Sequence, residues 1–368
     1  MMKLSDLLQK ISSLETRGSL TIDINGVNMD SRLVEKGNLF VAVKGTQTDG
    51  HAFIAGAIEK GASAILVSEP IPAETPADVT FVRVADTEDA IGKVATTFYG
   101  DPTQRLKLVG VTGTNGKTTI ATVLYHLFTE LGFKCGLCST VCNYIGTRAV
   151  PTEHTTPDPV TLNKLLGEMA DEGCEYAFME CSSHAIHQKR IGGLDFAGAL
   201  FTNLTRDHLD YHRSMEEYGA VKARLFHWQG LQNAVINTDD AFGQQLCAEL
   251  KRSGSSLHVY SYIRITRFAA NPQGMAIDVA TPWGSGTAQI RLLGRFNAQN
   301  FAAALGALCA GGYDFQAALN ALSHIRPATG RMDCIISEGK PLVVVDYAHT
   351  PDALEKALAT LREIKQPA

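Results

Sequence analysis

The run Val109-Gly-Val-Thr-Gly-Thr-Asn-Gly-Lys-Thr-Thr119 limits what this chain can fold into more than any other segment. Leu106 to Val111 reads as a buried strand that feeds a tight glycine turn, and a helix is expected to begin near Thr118. A strand, a glycine turn and a helix N-terminus in succession form a phosphate site. Gly113 and Gly116 let backbone N–H groups converge on an anion, the helix end adds partial positive charge, and Lys117 adds a full one. The hydroxyl of Thr118 follows the lysine, where it can reach a phosphate-bound magnesium ion. The usual GxxxxGK[ST] spacing requires glycine at position 111, but this chain has Val111. The loop is therefore a shortened variant.

The surrounding pattern is α/β. Asn38–Val43 and Ala62–Val67 read as strands around a helix at Ala52–Lys60, and a helix at Ala90–Tyr99 ends at Gly100-Asp-Pro102. Beyond that boundary the expected order is strand 106–111, helix 118–131, helix 160–172, strand 176–180 and strand 197–202. This order predicts a parallel, doubly wound sheet with ligands at the carboxyl ends of its strands. Near Arg326-Pro-Ala-Thr-Gly330 the pattern breaks, and a strand at Pro341–Asp346 and a helix at Asp352–Ile364 open a third unit. Domains are thus expected at 1–104, 105–329 and 330–368. The last, with one clear strand–helix pair in about 38 residues, is expected to be incomplete.

Charge and cysteine content narrow the partners. The 33 basic and 38 acidic residues leave a net charge of −5 with no basic block, which argues against nucleic acid as the main partner. No apolar run reaches the roughly 18 residues that a spanning helix needs, and no secretory leader is visible. A cytoplasmic protein is expected, and its eight cysteines are expected to be free thiols. Cys135-Gly-Leu-Cys138 lacks a second ligand pair at metal spacing and reads as a packed strand.

Several polar residues stand where chemistry could occur. Glu180 ends a strand beside the phosphate loop, a position suited to a magnesium or water ligand. His208, in Thr202-Asn-Leu-Thr-Arg-Asp-His-Leu-Asp-Tyr-His212, is open between metal ligand and loop residue, and His212 reads equally well as solvated. Lys222, alone on a helix expected at Met215–Phe226, reads on its own as a surface charge. Thr155-Thr156-Pro157-Asp158 has the form of a helix N-cap.

Taken together, these segments resemble the Mur ligases. The resemblance is carried by Met29-Asp-Ser-Arg32, Gly113–Thr119, Thr155-Thr-Pro157, Glu180-Cys-Ser-Ser-His184, the 202–212 run, Phe296-Asn-Ala-Gln-Asn300, Gly330-Arg-Met332 and Asp346-Tyr-Ala-His-Thr-Pro-Asp352. It implies the three-domain architecture of that family, with a central P-loop parallel sheet and a Rossmann-like C-terminal domain. It also implies an ATP-dependent amide ligase that uses magnesium and converts a substrate carboxylate to an acyl phosphate, which an amine then attacks. Asp30-Ser-Arg32, Thr155-Thr156 and Tyr347-Ala-His-Thr-Pro351 point to the branch that adds a third amino acid, meso-diaminopimelate or L-lysine, to UDP-N-acetylmuramoyl-L-alanyl-D-glutamate. That is a step of peptidoglycan synthesis, and so of cell-wall biogenesis, cell shape and division.

By the same likeness, Gly113, Thr114, Asn115, Gly116, Lys117, Thr118 and Thr119 hold the ATP phosphates, Asn300 lies near adenine, and Arg331 and Asp346 close over the nucleotide, with His349 a further candidate. Thr118, Glu180, His208 and Lys222 match metal-site residues, Lys222 as a carbamylated lysine, and Lys117, Glu180, His208 and Lys222 are the catalytic set. Met29, Ser31, Thr46, Gln47 and Thr48 match the UDP edge, while His154, Thr155, Thr156, Ser182, Gln188 and Arg190 match contacts with the muramoyl peptide. A monomer with no inserted membrane segment is expected. The family's amino-acid-selecting segment, of Asp-Asn-Pro-Arg type, has no counterpart in this sequence, so a fragment that binds without turnover is the alternative expectation. Another Mur step or a folylpolyglutamate-type ligase is a further one, but Thr118-Thr119 stands where folate ligases usually carry Gly-Ser.

Overall fold

The computed structural model describes residues 1–45, 48–254, 256–261, 264–271, 274–325, 328–337 and 339–364. Its contacts divide the chain into two compact units, Met1–Arg105 with Pro157–Asp171 and His187–Leu194, and Leu106–Thr156 with Glu172–Ile186 and Asp195–Ala368.

The first unit holds a five-stranded sheet in the order Ser13–Arg17, Thr80–Val84, Ala64–Val67, Asn38–Val41, Gly26–Asn28. All neighbours are parallel except the edge strand Ser13–Arg17. Asn38–Val41 and Ala64–Val67 are buried at every residue, as expected of strands covered on both faces. Asp86 caps helix Thr87–Phe98 by accepting from the N–H groups of Glu88 and Asp89. This helix packs on helix Pro159–Asp171, where Thr96 donates to Asn163 at 3.0 Å. The helix expected at 52–60 is divided in two. Asp49 accepts from His51 N–H and caps a 3₁₀ turn, Gly50–Phe53, and the α-helix is confined to Ile54–Glu59.

The second unit is built on an eight-stranded sheet. Its order is Arg148–Val150, Asn143–Ile145, Cys135–Cys138, Tyr176–Glu180, Lys107–Thr112, Gly198–Phe201, Asn233–Ile236, His258–Ser261. The last six of these run parallel, and the first two form an antiparallel hairpin at one edge. Lys107–Thr112 lies between Tyr176–Glu180 and Gly198–Phe201, so the segments leaving three neighbouring strands converge at one sheet end. Helices Lys117–Glu130 and Arg295–Ala310 share one core with the apolar residues of an antiparallel sheet, Arg264–Asn271, Gly274–Thr281 and Gly284–Ile290. The beginning of the third expected unit contains paired strands Asp333–Ile335 and Val343–Val345 and helix Pro351–Ile364. Ala357 and Ile364 of that helix pack with Leu293 and Met332. Among the described residues, no helix is long and apolar enough to cross a membrane.

Candidate active site

The phosphate loop owes its shape to two glycines. Gly113 has φ +144° and Gly116 has φ +90°. A Cβ on Gly113 would fall 1.8 Å from Thr202 Oγ1, and one on Gly116 would fall 2.6 Å from Asn300 Oδ1. Both positions therefore exclude a side chain by conformation and by space. The loop is tied to the segment after strand Gly198–Phe201. Thr114 N–H donates to Asn203 O at 2.8 Å, Asn115 N–H to Asn203 Oδ1 at 3.0 Å, and Thr202 Oγ1 to Asn115 O at 2.6 Å. Helix Lys117–Glu130 follows at once, with Gly116 at its N-cap.

Two lysines meet at this loop. Lys117 Nζ donates to the carbonyls of Gly113 and Thr114 at 3.0 and 2.9 Å. Lys222 is 1% exposed and donates to the same Gly113 carbonyl at 2.8 Å, with its ammonium 4.4 Å above the Tyr218 ring. Desolvation lowers the pKa of Lys117, opposed by the nearby Glu180. Burial holds Lys222 well below its ordinary value, and the positive charge of Lys117 pushes it further the same way.

Glu180 ends its strand almost fully buried, yet its carboxylate is satisfied by three donors. Thr118 Oγ1 donates to Oε2 at 2.9 Å, and the N–H and hydroxyl of Thr140 donate to Oε1 at 2.7 and 3.0 Å. Arg331 reaches the same place from the third segment. Its Nη2 donates to Thr118 Oγ1 at 3.1 Å and its guanidinium lies 4.7 Å from the Tyr347 ring centroid, while its Nε is buried with no hydrogen-bond partner. A buried guanidinium N–H without a partner beside a phosphate-type loop is chemically suited to an anionic oxygen.

His208 adopts φ +52°, a left-handed conformation uncommon outside glycine, and its ring stands edge-on to His184 at 4.9 Å. Burial lowers its pKa, opposed by Asp207, whose carboxylate lies 3.5 Å away. His212 is buried, contrary to the solvated reading, and its Nε2 lies 3.0 Å from Ser183 Oγ because the turn at His208 folds the segment inward. Among the described residues no three His, Cys, Asp or Glu side chains gather to hold a metal by themselves. The donor set suits magnesium all the same, because that ion is usually held by one or two carboxylates together with substrate phosphates and water. Glu180 and the Thr118 hydroxyl fit that pattern.

A cavity of about 320 Å³ opens beside the loop, lined by Asn115, Gly116, Thr119, Asn300, Arg331, Asp346 and His349 among others. Asp346 also accepts from the N–H of Met332 at 2.8 Å, which ties the third segment's strand to its entry turn. Most residues expected at the nucleotide therefore share one space.

The residues expected to hold the muramoyl substrate divide between the units. Met29, Ser31, Thr48, Gln188 and Arg190 belong to the first. There Asp30 caps the turn Ser31–Leu33, and Gln188 Oε1 accepts from Arg190 Nε at 2.9 Å. Thr46 and Gln47 lie outside the described residues, as does Arg326. His154, Thr155, Thr156 and Ser182 belong to the second unit, where Thr156 donates to Glu180 O at 2.8 Å and Thr140 Oγ1 lies 3.1 Å from Thr155 Oγ1. The N-cap reading of the Thr155 motif holds for Asp158, which accepts from the N–H groups of Val160 and Thr161. Thr140 and Tyr218 escaped sequence reasoning. Only the spacing of Tyr218, four residues before Lys222, could have placed its ring on the same helix face.

The sequence profile of the Mur ligase middle domain matches residues 111–308, that of the Mur ligase family catalytic domain residues 23–99, and that of the Mur ligase glutamate ligase domain residues 330–368. The chain is 52% identical to the UDP-N-acetylmuramoyl-L-alanyl-D-glutamate--2,6-diaminopimelate ligase of Phocaeicola vulgatus, over 99% of this chain and 75% of that protein. It is 48% identical to the ligase of the same name from Neisseria meningitidis serogroup B, over 92% of this chain and 71% of that protein. A solved structure of a UDP-N-acetylmuramoyl-L-alanyl-D-glutamate--2,6-diaminopimelate ligase superposes with a TM-score of 0.83 at 30% identity, covering 99% of this chain and 75% of its own. A folylpolyglutamate synthase from Mycobacterium tuberculosis, at 17% identity and a TM-score of 0.62, shares the fold. This chain belongs to the Mur ligase family.

Proposed function

We propose that this protein is an ATP-dependent ligase that joins a diamino acid, 2,6-diaminopimelate, to the D-glutamyl end of UDP-N-acetylmuramoyl-L-alanyl-D-glutamate in peptidoglycan synthesis. The names of relatives 44–52% identical over nearly the whole chain support the substrate pair. One observation carries the chemistry: the Lys117–Thr118 loop faces the buried carboxylate of Glu180, with the unpartnered Nε of Arg331 beside it.

ATP supplies the phosphoryl group that turns an unreactive carboxylate into an electrophile, and magnesium offsets its negative charge. The work of the protein is positioning. The loop N–H groups and Lys117 would hold the phosphates, Arg331 would add charge from the third segment, and Asn300 and Asp346 would line the space for the nucleoside. Glu180 and Thr118, with His208, would hold the metal. Lys222 is buried, and burial favours its neutral amine, the nucleophilic form that adds carbon dioxide and loses a proton to give a carbamate, an anion beside the loop. Met29, Ser31 and Thr46 to Thr48 would meet the uridine end, and His154, Thr155, Thr156, Ser182, Gln188 and Arg190 the peptide end. Domain boundaries near residues 104 and 329, a cytoplasmic setting and a monomeric state belong to the same reading.

Product analysis tests the substrate assignment. With UDP-muramoyl dipeptide, ATP and an equimolar mixture of meso-diaminopimelate and lysine, the tripeptide product should carry the mass of the diaminopimelate adduct. Product formed only from a different UDP-muramoyl peptide would overturn the assignment.

A further inference from the structure

Glu180 is the meeting point of two hydrogen-bonded chains. An ionised carboxylate only accepts, and a threonine hydroxyl has one proton to give. Thr140 Oγ1 is placed to donate to Glu180 Oε1 at 3.0 Å and to Thr155 Oγ1 at 3.1 Å, so its one proton is divided between the carboxylate and the Thr155 oxygen. On the other side, Arg331 donates to Thr118, and Thr118 donates to Glu180 Oε2. Thr140 therefore links Glu180 to Thr155 on one side, and Thr118 carries the donors from Arg331 to Glu180 on the other. The backbone N–H of Thr140 fixes Oε1 independently at 2.7 Å, so the carboxylate keeps its place even if the hydroxyl is lost.

We infer that Thr140 is a positioning residue that couples acceptor binding to nucleotide binding through the Thr155–Thr140–Glu180 chain. This rests on the ligase reading above, and no role assigned there includes Thr140. Thr155 is only partly buried. The acceptor peptide of this reaction ends in carboxylates, which compete strongly for a hydroxyl proton. When Thr155 gives its proton to that ligand, its oxygen becomes the stronger acceptor for the Thr140 proton, and the bond from Thr140 to Glu180 weakens. More negative charge is then left on Glu180 for the metal–nucleotide side. Acceptor and nucleotide should consequently bind with positive coupling, and the coupling should pass through one hydroxyl.

Titration calorimetry with Mg²⁺ and a non-hydrolysable ATP analogue, with and without saturating UDP-muramoyl dipeptide, measures it. The wild-type chain should bind the analogue about fivefold more tightly with the dipeptide present, near the lower end of ordinary coupling. In Thr140→Val that ratio should fall close to one, and Thr140→Ser should restore it. Thr155→Val should lose it equally, with no further loss in the double variant, which gives a second test that does not depend on how Thr140→Val folds. A Thr140→Val protein that keeps the wild-type ratio, or a wild-type protein that binds both ligands without coupling, overturns the proposal. A wild-type protein that binds no dipeptide overturns the ligase reading and this inference with it.

Discussion

Lys222 Nζ donates to the carbonyl oxygen of Gly113 at 2.8 Å, so a lysine from a distant helix is buried against the first glycine of the phosphate loop. The contact gives Lys222 opposite effects on folding and function. With its folded pKa below the ordinary 10.5, the unfolded chain binds more protons between the lowered pKa and 10.5. Stability of the unmodified protein therefore rises with pH through that window, and the contribution is lost as pH falls through it. Lys222→Met should raise the melting temperature at neutral pH in carbon-dioxide-free buffer, by about 2–4 °C for each kcal/mol relieved, and flatten its alkaline rise. Thermal melts across pH would check both, and a lower melting temperature with an unchanged slope would contradict them.

The same residue should be indispensable to turnover. Lys222→Ala is expected to lose about 10²–10³-fold in ADP release, the scale of removing one preorganised charged group. Added short carboxylates should restore part of the rate if the missing group is an anion. Rescue by short amines and not by carboxylates would remove the carbamate from the account.

Gly113→Ala tests the loop without touching a charge. Its Cβ would meet Thr202 Oγ1 at 1.8 Å in a backbone conformation that alanine rarely adopts. Nucleotide affinity should fall more than tenfold in calorimetry, since either the loop or the Thr202 bond to Asn115 O must give way.

In the first unit, a Cβ at Gly92 would lie 2.3 Å from Gly192 O, a backbone atom that cannot swing aside. Gly92→Ala should destabilise that unit by about 1–3 kcal/mol, the usual cost of overpacking, and should be read by urea unfolding. Nucleotide affinity, proposed to rest on residues of the second unit, should change less than twofold.

The residues proposed for the nucleotide and for the uridine belong to different units, which allows their roles to be separated. Lys117→Ala should abolish ATP turnover while UDP-muramoyl dipeptide binding stays within about threefold of wild type in calorimetry. Equal loss of both would contradict the division of roles between the loop and the Met29–Ser31 edge.

How much of this was legible in the sequence depends on how local each signal was. The phosphate loop, Glu180 at its strand end and the parallel sheet were readable because glycine positions, strand termini and apolar runs act over a few residues. The antiparallel sheet at 264–290 went unread, since its core residues, such as Met275, Ile277 and Val279, alternate with half-buried ones and their pairing is set by register and not by composition. Lys222 illustrates the limit most clearly. A lysine among Tyr218, Val221 and Leu225 looks like a solvated charge until the fold places Gly113 over it, 109 positions away in sequence. Thr140 was invisible for the same reason, because its meaning comes from Glu180, 40 positions distant.

The most direct measurement of the central claim is ADP release by the purified chain with ATP and magnesium, omitting each remaining substrate in turn. The account predicts sustained release only when UDP-N-acetylmuramoyl-L-alanyl-D-glutamate and meso-diaminopimelate are both present. Release that is independent of the UDP-dipeptide, or that requires a different acceptor in its place, would contradict it.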